Sequence, residues 1–141
     1  MIDGVELTPL KIIEVKDGNV LHALKKSDIG FEGFGEAYFS NVESGQIKGW
    51  KRHREMTLNL ICPVGKIKFV LCDDRNGKNV FEEFIISLED YSRLTVPPMI
   101  WFGFAGLSEE NSMLLNIANI LHNDAEIDRK DLKEIDYNWN E

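Results

Sequence analysis

Ile86-Ser87-Leu88-Glu89-Asp90-Tyr91-Ser92-Arg93-Leu94-Thr95-Val96-Pro97-Pro98-Met99-Ile100-Trp101-Phe102-Gly103-Phe104 is the stretch that decides the fold. A strand running Phe81–Ile86 ends in a turn, and Ser92–Val96 leaves it as a second strand. Pro97 and Pro98 close that strand, because proline has no N–H to give a ladder. Trp101, Phe102 and Phe104 then start another strand, with most of these rings expected in the core. The segment from Gly35 to Gly65 has the same punctuation. Glu36–Val42 alternates, Glu43-Ser44-Gly45 turns, Gln46–His53 runs out again, and the apolar Met56–Cys62 ends at Pro63-Val64-Gly65. Short strands separated by turn signals at this spacing imply an all-β sandwich or closed barrel.

Working outward, Lys11–Val15 and Val20–Lys25 read as short strands around the turn Lys16-Asp17-Gly18-Asn19. Lys66–Cys72 alternates, and Ser112–Ile120 is long and apolar enough for a core strand. The one helix candidate is Asp124–Ile135, inside an acidic tail at 121–141. The expectation is a single domain over 1–141 with its barrel at about 35–120 and a short C-terminal helix or tail. With 43% hydrophobic and 28% charged residues the composition is that of a soluble globular protein. No apolar window reaches membrane-spanning length, and no signal peptide is visible at Met1-Ile2-Asp3-Gly4. Cys62 and Cys72 fit reduced core thiols of a cytoplasmic protein. A net charge of −8 argues against a nucleic-acid surface, which needs a basic field, but leaves room for a basic interior pocket.

Chemistry concentrates in Lys48-Gly49-Trp50-Lys51-Arg52-His53-Arg54, a run of cations in an acidic chain. In a strand, side chains alternate, so Lys51 and His53 share one face while Trp50, Arg52 and Arg54 share the other. A solvated edge strand also carries such charges. Pointed into a barrel, a lysine and a histidine would instead make an anion or carbonyl-oxygen site. No metal is expected: Lys51 stands where a cupin-type metal site needs a first histidine, and Trp101-Phe102-Gly103-Phe104 brings none. His22 and His122 read as ordinary surface or loop histidines. Tyr38, Glu36 and Ser40 share a face that either lines the pocket or meets solvent. Asn59 and Asn116 interrupt apolar strands, and a buried amide must find partners, so each is a structural bridge or a ligand contact.

With these residues in place, the chain resembles the dTDP-4-dehydrorhamnose 3,5-epimerase family, small jelly-roll barrels of the cupin superfamily. The likeness rests on Lys48-Gly49-Trp50, on Gly65 with Phe69–Arg75, and on Ser87-Leu88-Glu89-Asp90 with Leu94, Val96-Pro97 and Gly103-Phe104. It runs from Gly35 to Asn119, with weaker correspondence at Asp17-Gly18 and Ile135–Trp139. The resemblance implies a jelly roll that removes protons beside the C4 ketone of a nucleotide-linked sugar, without a cofactor, as a homodimer. In the family a histidine held by an aspartate is the base, a lysine steadies the enolate oxygen and a tyrosine returns the proton. Here the family histidine falls on Lys51, the lysine near Leu58 or Asn59, and the tyrosine near Leu115 or Asn116. The family aspartate lies in an extension beyond Glu141.

Three functions follow as expectations. The first is an epimerase or isomerase of a nucleotide-linked 4-keto deoxy sugar in cell-surface polysaccharide biosynthesis. In it Lys51 and His53 divide the roles of base and enolate stabiliser, and Lys48 or Arg52 contacts the diphosphate. Tyr38 or Trp101 stacks on the ligand, and Asn59 and Asn116 are further contacts. The second is a non-catalytic sugar-nucleotide-binding module, and the third a structural barrel with a filled interior.

Overall fold

The computed structural model describes residues 1–140. In chain order the strands are Glu6–Pro9 (β1), Ile12–Ile13 (β2), Val20–Leu21 (β3), Glu36–Val42 (β4), Ile47–His53 (β5) and Leu58–Val64 (β6). They continue with Lys66–Asp73 (β7), Val80–Ser87 (β8), Ser92–Val96 (β9), Trp101–Gly106 (β10), Ser112–Ala118 (β11) and Ile127–Arg129 (β12). One five-stranded sheet has the order β1-β9-β6-β11-β4 and a second the order β12-β5-β10-β7-β8, while β2 and β3 form a small hairpin. All strand ladders are antiparallel. The fold is the expected jelly roll, built as two facing sheets rather than one sheet closed on itself.

Period-two patterning assigns the inner faces. Leu58, Leu60 and Cys62 of β6, Leu94 and Val96 of β9, and Leu114 and Ala118 of β11 pack against Ile67, Phe69 and Leu71 of β7 and against Phe102 and Phe104 of β10. The chain crosses between the sheets at Gly65, between β6 and β7. Its φ of +84° is a conformation that glycine adopts without the Cβ penalty of other residues.

Both sheets are also covered on the outside, by different chemistry. On the second sheet, Trp50, Val70, Cys72 and Trp101 form a separate core with Ile135, joined by Phe81, Tyr137 and Trp139. On the first sheet the cover is polar. Arg93 is fully buried and donates to Asn59 Oδ1 (3.1 Å), Ala23 O (2.8 Å) and Ile29 O (2.8 Å), with Asp28 Oδ2 at 3.4 Å. Asn59 Nδ2 donates to Gly30 O at 2.9 Å and Thr95 Oγ1 donates to Asn59 Oδ1 at 2.6 Å. One guanidinium thus holds residues 23–29 against the sheet.

Three expectations change. The C-terminal helix over Asp124–Ile135 does not form: two 3-10 turns, Asp124–Glu126 and Leu132–Glu134, flank β12. The reason is that Ile127–Arg129 pairs as an added edge strand with β5, Ile127 opposite His53 and Arg129 opposite Lys51, beyond which Ile135, Tyr137 and Trp139 cover the second sheet. The strands expected at Lys11–Val15 and Val20–Lys25 shrink to the two-residue pairs β2 and β3. And β1, unforeseen, pairs with β9 from Glu6 opposite Thr95 to Pro9 opposite Ser92.

Replacing Arg93 by Leu leaves the carbonyls of Ala23 and Ile29 without their buried donor. The expected loss is about 2–4 kcal/mol in urea unfolding, with faster amide hydrogen exchange in 22–31 than in β6 or β7. Unchanged exchange in 22–31 would contradict the bridging role.

Candidate active site

A cavity opens between the two sheets. One wall is Tyr38 and Ser40 of β4, Leu58 and Leu60 of β6, and Leu114 and Asn116 of β11. The facing wall is Lys48, Gly49, Lys51 and His53 of β5, Phe102 and Phe104 of β10, and Ile127 of β12, with His122 also lining the space. The Lys51–His53 face of β5 therefore does point inward.

His53 is held on several sides. Its ring stacks on Phe102, centroids 6.0 Å apart with 14° between planes, and it is 6% exposed. Its Nδ1 meets Glu126 Oε2 at 2.5 Å. The other carboxylate oxygen, Oε1, accepts the backbone N–H of Met56 (2.9 Å) and of Glu55 (3.0 Å). Glu126 is itself only 3% exposed. Burial alone would raise its pKa, but the hydrogen bonds from Met56, His53 and Glu55 together hold it below the usual value. Burial dominates at His53 and pulls its pKa below 6.5, against the opposing pull of Glu126. The ring is accordingly neutral near pH 7, with Nδ1–H donated to the carboxylate and Nε2 left as a proton acceptor. That is the arrangement of a general base oriented by a carboxylate.

Lys51 lies two residues away on the same wall. Burial lowers its pKa first, and the positive charges of Arg129 and Lys48 lower it further. Arg129 pairs with Asp124 at 3.1 Å, and His122 Nε2 lies 3.2 Å from the same Asp124 oxygen. Lys48 Nζ donates to Asn41 O (2.9 Å) and sits 5.9 Å from the centroid of Phe104. A protein of net charge −8 thus gathers cations around this cavity.

Of the residues singled out in the sequence, Lys48, Lys51, His53, Tyr38 and Asn116 meet in this cavity. Three do not. Arg52 faces outward, 4.7 Å over the ring of Trp101 and paired with Asp128 at 2.8 Å. Trp101 is buried in the outer core, with Nε1 donating to Asp74 at 3.2 Å. Asn59 belongs to the Arg93 network on the outer face of the first sheet. Strand alternation separates Asn59 from its inward neighbours Leu58 and Leu60, and places Asn116 inward with Leu114. His122, expected as an ordinary surface or loop histidine, is half exposed but contributes to the lining. His22 lies elsewhere, its carbonyl accepting from the Tyr91 hydroxyl at 2.7 Å. Glu126 was missed: it is 73 residues from its partner, in a segment whose acidity reads as solvated helix. Both cysteines are free and buried, and burial pushes each thiol up to about 11.

The family model described as "FdtA: WxcM-like, C-terminal" matches residues 3–135. The chain is 26% identical over 126 residues to a probable low-salt glycan biosynthesis epimerase, Agl13, of Haloferax volcanii, spanning 86% of this chain and 81% of the relative. A crystal structure of a dTDP sugar isomerase from Desulfovibrio desulfuricans G20 superposes with a TM-score of 0.88 at 34% identity, covering 92% of this chain and 85% of that one. QdtA from Thermoanaerobacterium thermosaccharolyticum, a sugar 3,4-ketoisomerase solved in complex with TDP, shares the fold with a TM-score of 0.74 at 23% identity, covering 92% and 90%.

The depressed pKa of His53 has a consequence for stability. Because the unfolded chain takes up this proton more readily, the contribution is fully present above pH 6.5 and lost as pH falls through the lower folded value. Thermal melts between about pH 7.5 and 5 are expected to show stability falling with pH, and His53→Asn a flatter dependence over the same window. Identical slopes would contradict the assignment.

Proposed function

As the chain belongs to the FdtA family, WxcM-like, C-terminal, we propose that it is an epimerase or isomerase of a dTDP-linked 4-keto deoxy sugar in cell-surface glycan biosynthesis. The observation that carries this reading is the buried His53–Glu126 pair facing a cavity that Lys51 also lines. The nature of the similar proteins, a dTDP sugar isomerase and a glycan biosynthesis epimerase, supports the substrate class.

The sugar enters between the sheets with the carbon beside its ketone turned to His53. Nε2 takes that carbon's proton, the electron pair moves into the ring as an enolate, and the imidazolium so formed is stabilised by Glu126. Lys51, as ammonium, holds the enolate oxygen. This interaction is stronger in the transition state than with the neutral ketone, so it lowers the barrier. If a proton returns to the same carbon from the opposite wall, where Tyr38 stands, the centre inverts. If it is delivered instead to the former ketone carbon, while the hydroxyl on the deprotonated carbon gives its proton to the former ketone oxygen, the ketone moves. The diphosphate lies at the basic rim beside Lys48 and Arg129. No cofactor takes part in either course.

We place the reaction in the cytoplasm, where activated sugars are made; no helix among the described residues is long and apolar enough to cross a membrane. The protein acts as a homodimer, a reading supported by β4. It is an unpaired sheet edge carrying Phe39, which is 63% exposed, and Phe34, just before the strand in sequence, is 66% exposed.

In deuterated water with dTDP-linked 4-keto-6-deoxy sugars, deuterium is expected at a carbon beside the ketone. His53→Asn should slow its entry by about 10²–10⁴-fold and Lys51→Ala by about 10²–10³-fold. The rate should have an acidic limb below 6.5, where His53 becomes protonated, and an alkaline limb below 10.5, where Lys51 loses its charge. Binding without exchange across the panel would replace this reading with a non-catalytic sugar-nucleotide module.

A further inference from the structure

Asn116 is 3% exposed and sits on the cavity wall that faces His53. Its Nδ2 donates to the Tyr38 hydroxyl at 3.1 Å. No described residue donates to its Oδ1, although that atom is fully enclosed. Turning the amide over would only exchange which end lacks a protein partner. Leu58, Leu60 and Leu114 on this wall offer no polar side-chain atom, and neither of its two hydroxyls, on Tyr38 and Ser40, donates to Oδ1. A buried amide oxygen left without a donor is costly, so an apolar residue would suit the position better if packing were its only task.

We propose that Asn116 determines substrate specificity by accepting, at Oδ1, a hydrogen bond from a hydroxyl on the sugar ring. This rests on the function proposed above and adds to it the feature of the substrate that the site reads. With Nδ2 on the Tyr38 hydroxyl, as it is here, the chemistry at Oδ1 excludes most of the alternatives. A carbonyl, ether or phosphate oxygen has no hydrogen to give, and a methyl group would leave the amide oxygen unpaired. Geometry indicates which hydroxyl. A tetrahedral ring carbon that turns its C–H bond toward His53 on β5 holds its other substituent near the ring plane, tilted away from that wall and toward the sheet holding β11. The hydroxyl on the carbon that reacts therefore meets Asn116, and Tyr38 keeps the amide oriented to receive it. A site built around such a bond discriminates strongly against a ligand that lacks the hydroxyl, because the amide is then left buried and unpaired.

Two unreactive probes separate this from the parent reading. In dTDP-6-deoxyglucose a hydroxyl replaces the ketone, so no proton can be abstracted; its 3-deoxy counterpart lacks only the hydroxyl on C3, the one carbon beside a C4 ketone that carries a hydroxyl. By titration calorimetry the wild-type protein is expected to bind the first about tenfold or more tightly over the second. Asn116→Leu should bind the two within about twofold of each other, its thermal melt showing that it is folded. Equal wild-type affinities would overturn the inference without need of the variant, as would discrimination surviving in Asn116→Leu. If the wild type binds the two probes equally yet exchanges deuterium into a keto sugar, only this inference falls. If it binds neither probe and exchanges nothing, the proposed function falls with it.

Discussion

The Glu126 carboxylate is the point on which the site depends. It accepts from the His53 ring with one oxygen and from two consecutive backbone amides, Glu55 and Met56, with the other. Those amides follow β5, and Glu126 precedes β12, whose Ile127 pairs with His53 itself. One side chain therefore closes the turn after β5, fixes the added edge strand and sets the imidazole's tautomer. A buried carboxylate is costly unless its lone pairs are satisfied, and here three donors satisfy it. The hydrogen bonds that make its burial tolerable also leave Nε2 as the free end of the ring.

Everything around that carboxylate serves to keep the two sheets apart at one place and closed elsewhere. Phe69, Leu71, Leu94 and Val96 fill the space between them toward β7 and β9. Toward β4 and β5 the filling gives way to Tyr38, Ser40, Lys51, His53 and Asn116, and the cavity begins. Coverage on the outside makes this possible. The aromatic cluster of Trp50, Trp101, Tyr137 and Trp139 braces the second sheet from behind, and the Arg93 network does the same for the first. His53 and the cations stand on one wall, with the Tyr38–Asn116 pair on the other, so a flat ring between them would meet different chemistry on its two faces.

Much of this was legible in the sequence because strands alternate. The split of Lys51 and His53 from Trp50 and Arg52 follows from period two alone, and turn residues marked most strand ends. What alternation does not give is the partner across space. Trp101 looked like a ligand platform because nothing in the sequence shows that Ile135, Tyr137 and Trp139 return to cover it. Asn59 and Asn116 looked equivalent, and it takes the register of β6 against β11 to show that Asn116 lies opposite the inward Leu60 and Asn59 opposite Ile117. Arg93 gave no sign of full burial, since the carbonyls it needs, of Ala23 and Ile29, come from a segment 70 and 64 residues earlier. The resemblance pointed to an aspartate beyond the chain's end as the base's support. In the structure the carboxylate that contacts His53 is that of Glu126, on a segment that reads as helix.

The most direct test of the account is the protonation state of one ring. Two-bond nitrogen–proton correlation NMR on nitrogen-labelled wild-type protein near pH 7 should show His53 as a neutral imidazole with its proton on Nδ1 and an unprotonated Nε2. An imidazolium, or a proton resident on Nε2, would mean that no base faces the cavity and would contradict the account.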